Sequence, residues 1–314
     1  MRYPMLLVCF LAVVTAGASA ARGEDLDRRI PVQPRGLLLV DLDLGEEVRA
    51  ERVSLEVRSH DADEVWVVAD LAGFSDSAVK FRLESDEKTV RLYAHSGGWL
   101  GRLFGGPGVS VRIWVPRDFS LDLRCESGPI SIEDINGDIR ARTTDAGIDV
   151  RATEGLLKLR TRSGRIHVVE TIGDVEVKST EGSVEISWVT GSVDVRTGRG
   201  DIQTRHINGD SNLRTGSGEI EIREANGITL AKTEQGAIYA SYAGDPEGRL
   251  ETRRGSVVVA MPRDAGVALE ASTRRGYVEI DDEQHGKEYS GKMNGGGSPL
   301  HIYTARGTIR VGRR

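Results

Sequence analysis

Between Leu121 and Gly248, apolar and polar residues alternate in short runs, and the runs return every eighteen residues. Aligned from Leu121, successive blocks read LDLRCESGPISIEDINGD, IRARTTDAGIDVRATEGL, LKLRTRSGRIHVVETIGD, VEVKSTEGSVEISWVTGS, VDVRTGRGDIQTRHINGD and SNLRTGSGEIEIREANGI. A seventh block, TLAKTEQGAIYASYAGDPEG, carries two extra residues, and RLETRRGSVVVAMPRDAG follows in shifted phase. Position 10 is Ile130, Ile148, Ile166, Val184, Ile202, Ile220 and Ile238, and position 5 is Cys125, Thr143, Thr161, Ser179, Thr197, Thr215 and Thr233. Glycine fills position 8 except at Ala146, and position 17 in the first six blocks. Each block predicts two short strands and two tight turns about nine residues apart. Such a unit cannot bury its apolar face alone, whereas stacked copies build a continuous core. The predicted fold is therefore all-β: a single-chain β-solenoid (β-helix) with about 18 residues and two strands per coil. Glycines spaced by nine, and inward positions 1, 3, 10 and 12, do not recur at six, so a two-sided coil is preferred to a three-sided hexapeptide helix.

The strand pattern continues outside the strict repeat. LLLVDLDLG, RVSLEV, DEVWVVADLAGF, VKFRL, TVRLYAHSG and VSVRIWVP lie between residues 37 and 116, and most of the chain's Trp and Phe fall between Ile30 and Pro116. Residues 37–117 are read as a β-rich N-terminal module, either irregular first coils or a small sandwich capping the solenoid. Solenoid repeats are assigned to 118–281, a Gly-rich loop to 282–299 and a final coil to 300–314. A glycine-rich excursion, GGWLGRLFGG (97–106), is read as a hairpin tip or an apolar contact patch. At the start, Arg2, the apolar run Leu6 to Val14 and Ala18-Ser19-Ala20 have the form of a secretory signal peptide over 1–20, followed by a linker over 21–36. The run is too short to span a bilayer, and the mature chain is expected to have no transmembrane segment. The expected location is exported: periplasmic, cell surface or extracellular.

Composition narrows the picture further. The chain has 38 glycines, 9 prolines and only 5% aromatic residues, which excludes collagen and suits a thin core with many turns. No Phe falls between Leu121 and Gly266, so that core is expected to have no room for rings. The net charge is −6 overall, and acidic again once Arg2 is removed with the signal, which argues against general nucleic-acid binding. Loss of the signal leaves Cys125 alone, so no intrachain disulfide can form; it is read as an inert buried thiol.

The most ordered polar feature is position 4: Arg124, Arg142, Arg160, Lys178, Arg196, Arg214 and Lys232. On a stacked solenoid these form a cationic row with neighbours about 5 Å apart. Two readings are open. The row is a track for repeated anionic groups, as in an acidic glycan, or it is neutralised by flanking acids such as Asp122, Glu176, Asp194 and Glu185. Asp138, Asp174 and Asp210 follow position-17 glycines and are read as turn caps, since a calcium ladder needs more oxygen ligands per ion. The histidines fall in no metal-ligand spacing, and there is no nucleophile elbow, phosphate loop or HExxH motif. No catalytic residue, metal or cofactor is assigned.

The blocks LRTGSGEIEI, VRTGRGDIQT and LRTRSGRIHV, entered through IWVPRDFSLDLRCESGPISI, resemble the bacterial putative-adhesin family of exported β-solenoid domains of unknown function. Val115-Pro116 and Leu121 to Ile132 match that family's entry motif, with Cys125 where Thr is usual. The resemblance spans about Leu37 to Val311 and implies a secreted solenoid. A shorter segment, VWVVADLAGFSDSAVKFRL (65–83), is similar to the α-crystallin domain of small heat-shock proteins, with Ala72 in place of proline. The expected function is a non-catalytic adhesin or cell-envelope binding scaffold, with an anionic glycan or cell-surface component as partner. A self-associating structural protein is the alternative, ahead of a polysaccharide-active enzyme or a chaperone-like domain.

Overall fold

The computed structural model describes residues 26–44, 53–72, 79–96 and 108–314. The segment read as a signal peptide and the 97–106 excursion lie outside the described residues. Among the described residues there is no helix; strands form two sheets of 15 and 14 members. Sixteen strands, from β8 (Ser120–Cys125) to β23 (Val257–Met261), alternate between the two sheets, and each of them up to β21 pairs in parallel with the strand two further on. The register is one coil per step, as in Ile139↔Leu157 and Ile148↔Ile166. This is the two-sided solenoid that the period of 18 predicts. Positions 1, 3, 10 and 12 point inward, forming one continuous core of Leu, Ile, Val and Ala between the sheets.

Position 5 explains the threonine row. Its side chain points inward, where a hydroxyl needs a partner. Thr215 Oγ1 donates to the carbonyl of Gly200 at 3.0 Å, Thr233 to Gly218 at 3.0 Å and Thr252 to Gly236 at 2.9 Å. Every such bond ties one coil to the turn of the coil before it. Cys125 occupies this row without an oxygen and is fully buried. Burial pushes its thiol up from 9.0 to about 12. A raised thiol means that folding disfavours the thiolate, so its contribution to stability is complete below pH 9 and erodes as pH climbs toward about 12. The native chain at pH 8 should react with a disulfide reagent at least about tenfold more slowly than the urea-unfolded chain. Equal rates would place the thiol outside the core.

Strict alternation breaks at one place in each coil. From position 10 it would carry position 14 inward, yet Asp134, Ala152, Glu170, Trp188, His206 and Glu224 all take left-handed backbone with φ between 51° and 61°. The extra outward residue shifts parity, so position 15 (Ile135, Thr153, Thr171, Val189, Ile207, Ala225) is buried instead. In the seventh block this irregularity lapses. Tyr242 pairs with Ala225, the register shifting between Ile222 and Ala225, and its ring is 1% exposed. The expected ring-free core is thus corrected: a buried tyrosine is accommodated opposite the small Ala225.

The ends are threaded out of sequence order. Seven strands precede the regular coils: β1 (Leu26–Pro31), β2 (Leu37–Asp43), β3 (Val53–His60), β4 (Glu64–Ala72), β5 (Val79–Ser85), β6 (Thr89–Ser96) and β7 (Gly108–Pro116). β2 and β3 form a coil between the β6/β7 coil and the first regular one, all in parallel. β4 and β5 then close the end by antiparallel pairing, with β1 beyond β4. The linker expected over 21–36 therefore contains a strand. Its residues alternate poorly (LDRRIP) because it is an exposed edge.

The other end repeats the device with β24 (Val267–Thr273), β25 (Val278–Ile280), β26 (Glu283–Gln284), β27 (Glu288–Met293), β28 (Pro299–Thr304) and β29 (Ile309–Arg313). The last pair in sequence, β28 and β29, lies between the last regular coil, ending in β23, and the β24/β25 coil. β26 and β27 cap that coil antiparallel. The loop expected over 282–299 is corrected accordingly: 288–293 is a strand, invisible as a pattern because Met293 is the only buried residue in it. The 65–83 segment contributes β4 and part of β5, which lie in different sheets.

Candidate binding face

Position 4 projects from the outer face of the 14-stranded sheet. Parallel register places Arg124, Arg142, Arg160, Lys178, Arg196, Arg214 and Lys232 side by side on successive strands. The side chains are not equivalent. Lys178 bonds Glu176, and Arg196 pairs with Asp194 at 3.0 Å, each acid two residues earlier on the same strand. Lys232 stands 3.6 Å from Glu251, and Arg214 Nε donates to Asn212 at 3.2 Å. Arg124 faces Asp41 at 3.9 Å in an acidic setting, where burial and the neighbouring Asp43 raise the carboxyl of Glu126. Among the described residues, Arg142 and Arg160 have no ion-pair partner.

What makes these two different is position 2, the other outward row: Asp122, Arg140, Lys158, Glu176, Asp194 and Asn212. On β10 (Ile139–Thr143) and β12 (Leu157–Ser163) positions 2 and 4 are both cationic, with Arg140 opposite Lys158 and Arg142 opposite Arg160. The four form a rectangle of about 4.8 Å across strands and about 6.6 Å along them. Glu176 borders the patch; its carboxyl is held low mainly by the bond from Lys178, with Lys158 and Arg160 adding to the field. Reading position 4 alone misses Arg140 and Lys158. The signal was present, in the two rows taken together.

The acids expected to neutralise the row divide. Glu176 and Asp194 do so, but Glu185 lies on β15 (Val184–Thr190) in the other sheet and pairs with Arg165. Asp138, Asp174 and Asp210 act as turn caps, accepting the backbone N–H of Leu156, Ser192 and Ile228 at 3.2, 2.9 and 3.0 Å. A shallow groove beside position 2 runs from Lys158 past Glu176 and Asp194 to Ile228 and Leu230. Its acids bound the patch, so the basic quartet covers two coils. Among the described residues, no group of three His, Cys, Asp or Glu is placed to hold a metal ion.

Fold and outer faces together define a protein class: a capped two-sheet β-solenoid displaying side-chain rows on flat faces. The chain belongs to the Toastrack DUF4097 family, whose profile matches residues 47–311. Several solved structures are similar over most of their length. A putative cell adhesion protein from Clostridium sporogenes is 12% identical, over 93% of this chain and 100% of that one, with a TM-score of 0.21. A putative adhesin from Bacteroides fragilis is 12% identical over 92% and 97%, with a TM-score of 0.29. A putative lipid binding protein from Parabacteroides distasonis is 10% identical over 92% and 97%, with a TM-score of 0.30. No curated protein sequence matches the chain. Among the described residues, no helix is long and apolar enough to cross a membrane.

Proposed function

We infer that this chain is an exported, non-catalytic binding scaffold of the cell envelope, an adhesin in the broad sense, which holds an acidic glycan on the outer face of its 14-stranded sheet. The observation that carries this reading is the quartet Arg140, Arg142, Lys158 and Arg160, four outward cations on two adjacent strands. Like charges at 5–7 Å repel, and a protein gains nothing from leaving them unpaired unless an anion completes them. Carboxylate or sulfate groups repeated along a polysaccharide fit that spacing, and several weak contacts on one polymer add together. Acids on either side confine the contact, so a short run of closely spaced anionic groups is the ligand. Export is supported by the signal-like first 20 residues.

The capped ends count against coil-on-coil stacking of one chain on the next, since antiparallel strands cover both terminal parallel coils. The test is an array of acidic and neutral glycans probed with the purified chain at low salt. Retention on uronate-rich or sulfated glycans, lost at high salt, is expected. Retention of no acidic glycan would overturn the assignment.

A further inference from the structure

The opposite face carries a second feature, built from position 14. A left-handed residue there favours Gly, Asn or Asp, and a bulky ring suits it least. Trp188 nevertheless occupies it with φ 60°, and is 55% exposed. Ile172, one coil earlier, is 60% exposed. Neither backbone preference nor burial in the core accounts for a tryptophan at this point, and residues that break a local rule cluster at functional sites.

The indole is also fixed in place. His206, on the next coil, stacks on it with ring centroids 3.8 Å apart and planes at 20°. The imidazole is steadied in turn by Glu224, 2.6 Å from Nδ1. One face of the indole is thus covered, while the residue as a whole stays 55% exposed. A carboxylate is no partner for the electron-rich face of an aromatic ring.

The geometry points to Trp188 as the platform of a subsite for one neutral hexopyranose ring of a glycan. The C–H face of a pyranose stacks on an exposed indole, while its hydroxyls need donors and acceptors at the rim. Glu170, Ser187, Arg205 and Asn208 stand on the same and adjoining strands, Ser187 opposite Arg205 in register. Glu170 and Glu224 stand against the single charge of Arg205, so the rim has no net positive charge to draw an anionic ligand. Two exposed apolar side chains fall far short of the roughly 800 Å² per partner that a stable protein interface buries. The subsite lies on the 15-stranded sheet and stands independently of the basic quartet, so either can fail without the other.

The test titrates the purified chain with methyl glucoside, methyl galactoside, methyl mannoside and N-acetylglucosamine, and with their linear hexamers. Binding is followed by saturation-transfer NMR and tryptophan fluorescence. At least one series should saturate, the hexamer more tightly than the monosaccharide. Trp188→Asn should weaken it by about tenfold or more. Thermal stability of that variant should equal or exceed the parent's, because asparagine suits the left-handed backbone. Trp188→Asp, which copies Asp134 of the first coil, provides a second replacement whose side chain already occurs at this position. The proposal is overturned if no sugar binds up to about 10 mM, the range of weak single-site contacts. It is overturned equally if both variants bind like the parent, or if Trp188 proves to mediate self-association or vesicle binding instead.

Discussion

Gly200→Val should lower the unfolding free energy by about 4 kcal/mol, a large share of the roughly 5–15 kcal/mol that holds a typical domain. Two independent effects combine. Gly200 sits at φ 135°, a conformation that side chains rarely adopt, which costs about 1–3 kcal/mol for a residue with a Cβ. A Cβ there would also stand 2.6 Å from the carbonyl carbon of Gly182, one coil below, with no flexible side chain able to yield. The same turn accepts the hydroxyl of Thr215 at 3.0 Å, so displacing it loosens the coil above as well. Gly312 serves as the control: nothing lies within 4 Å of a Cβ there, and Gly312→Ala should change stability by no more than about 0.5 kcal/mol. Urea unfolding of both variants reads the difference. Equal small losses would mean that the coils do not pack through their glycine turns.

Removing residues 299–314 should unravel the C-terminal end rather than trim it. β28 and β29 are interior members of their sheets, and Leu300, Ile302, Ile309 and Val311 are buried. Each such side chain contributes about 1.5–3 kcal/mol of burial. Their loss also strands β24 and β25, whose parallel partners they are. Limited proteolysis of the truncated chain should therefore cut readily beyond Met261, leaving a resistant core of regular coils. Protection of 262–298 equal to the parent's would show that β24 closes onto β22 (Glu247–Thr252) by itself, against the threading described above.

The regular coils were legible because burial, turn geometry and hydrogen bonding all act at fixed positions of an eighteen-residue block. Thr215 and Gly200 are visible in the alignment, though the bond between them is not. The left-handed residue at position 14 left no trace, since Ala152, Glu170, Trp188 and His206 carry none of the glycine or asparagine that would announce it. The swapped threading was also hidden: strands with one alternation can pair with any neighbour, and only end closure decides which. β1 and β27 bury too little on one face to show a pattern. At the candidate binding face, the position-4 row could be read directly. Which cations are left unpaired depends on position 2, which varies from Asp122 through Arg140 to Leu230 and so escapes a search for constancy.

The most direct measurement compares two neutralised chains for binding to dextran sulfate and polygalacturonate across a salt series. In one, Arg140, Arg142, Lys158 and Arg160 are all replaced by glutamine; in the other, Arg196, already paired with Asp194 at 3.0 Å, is replaced alone. The first should lose at least about 30-fold in affinity at low salt and flatten the salt dependence, while the second stays within about threefold of the parent. If the quartet variant bound as tightly as the parent, with the same slope against salt, the basic face would have no part in holding the ligand.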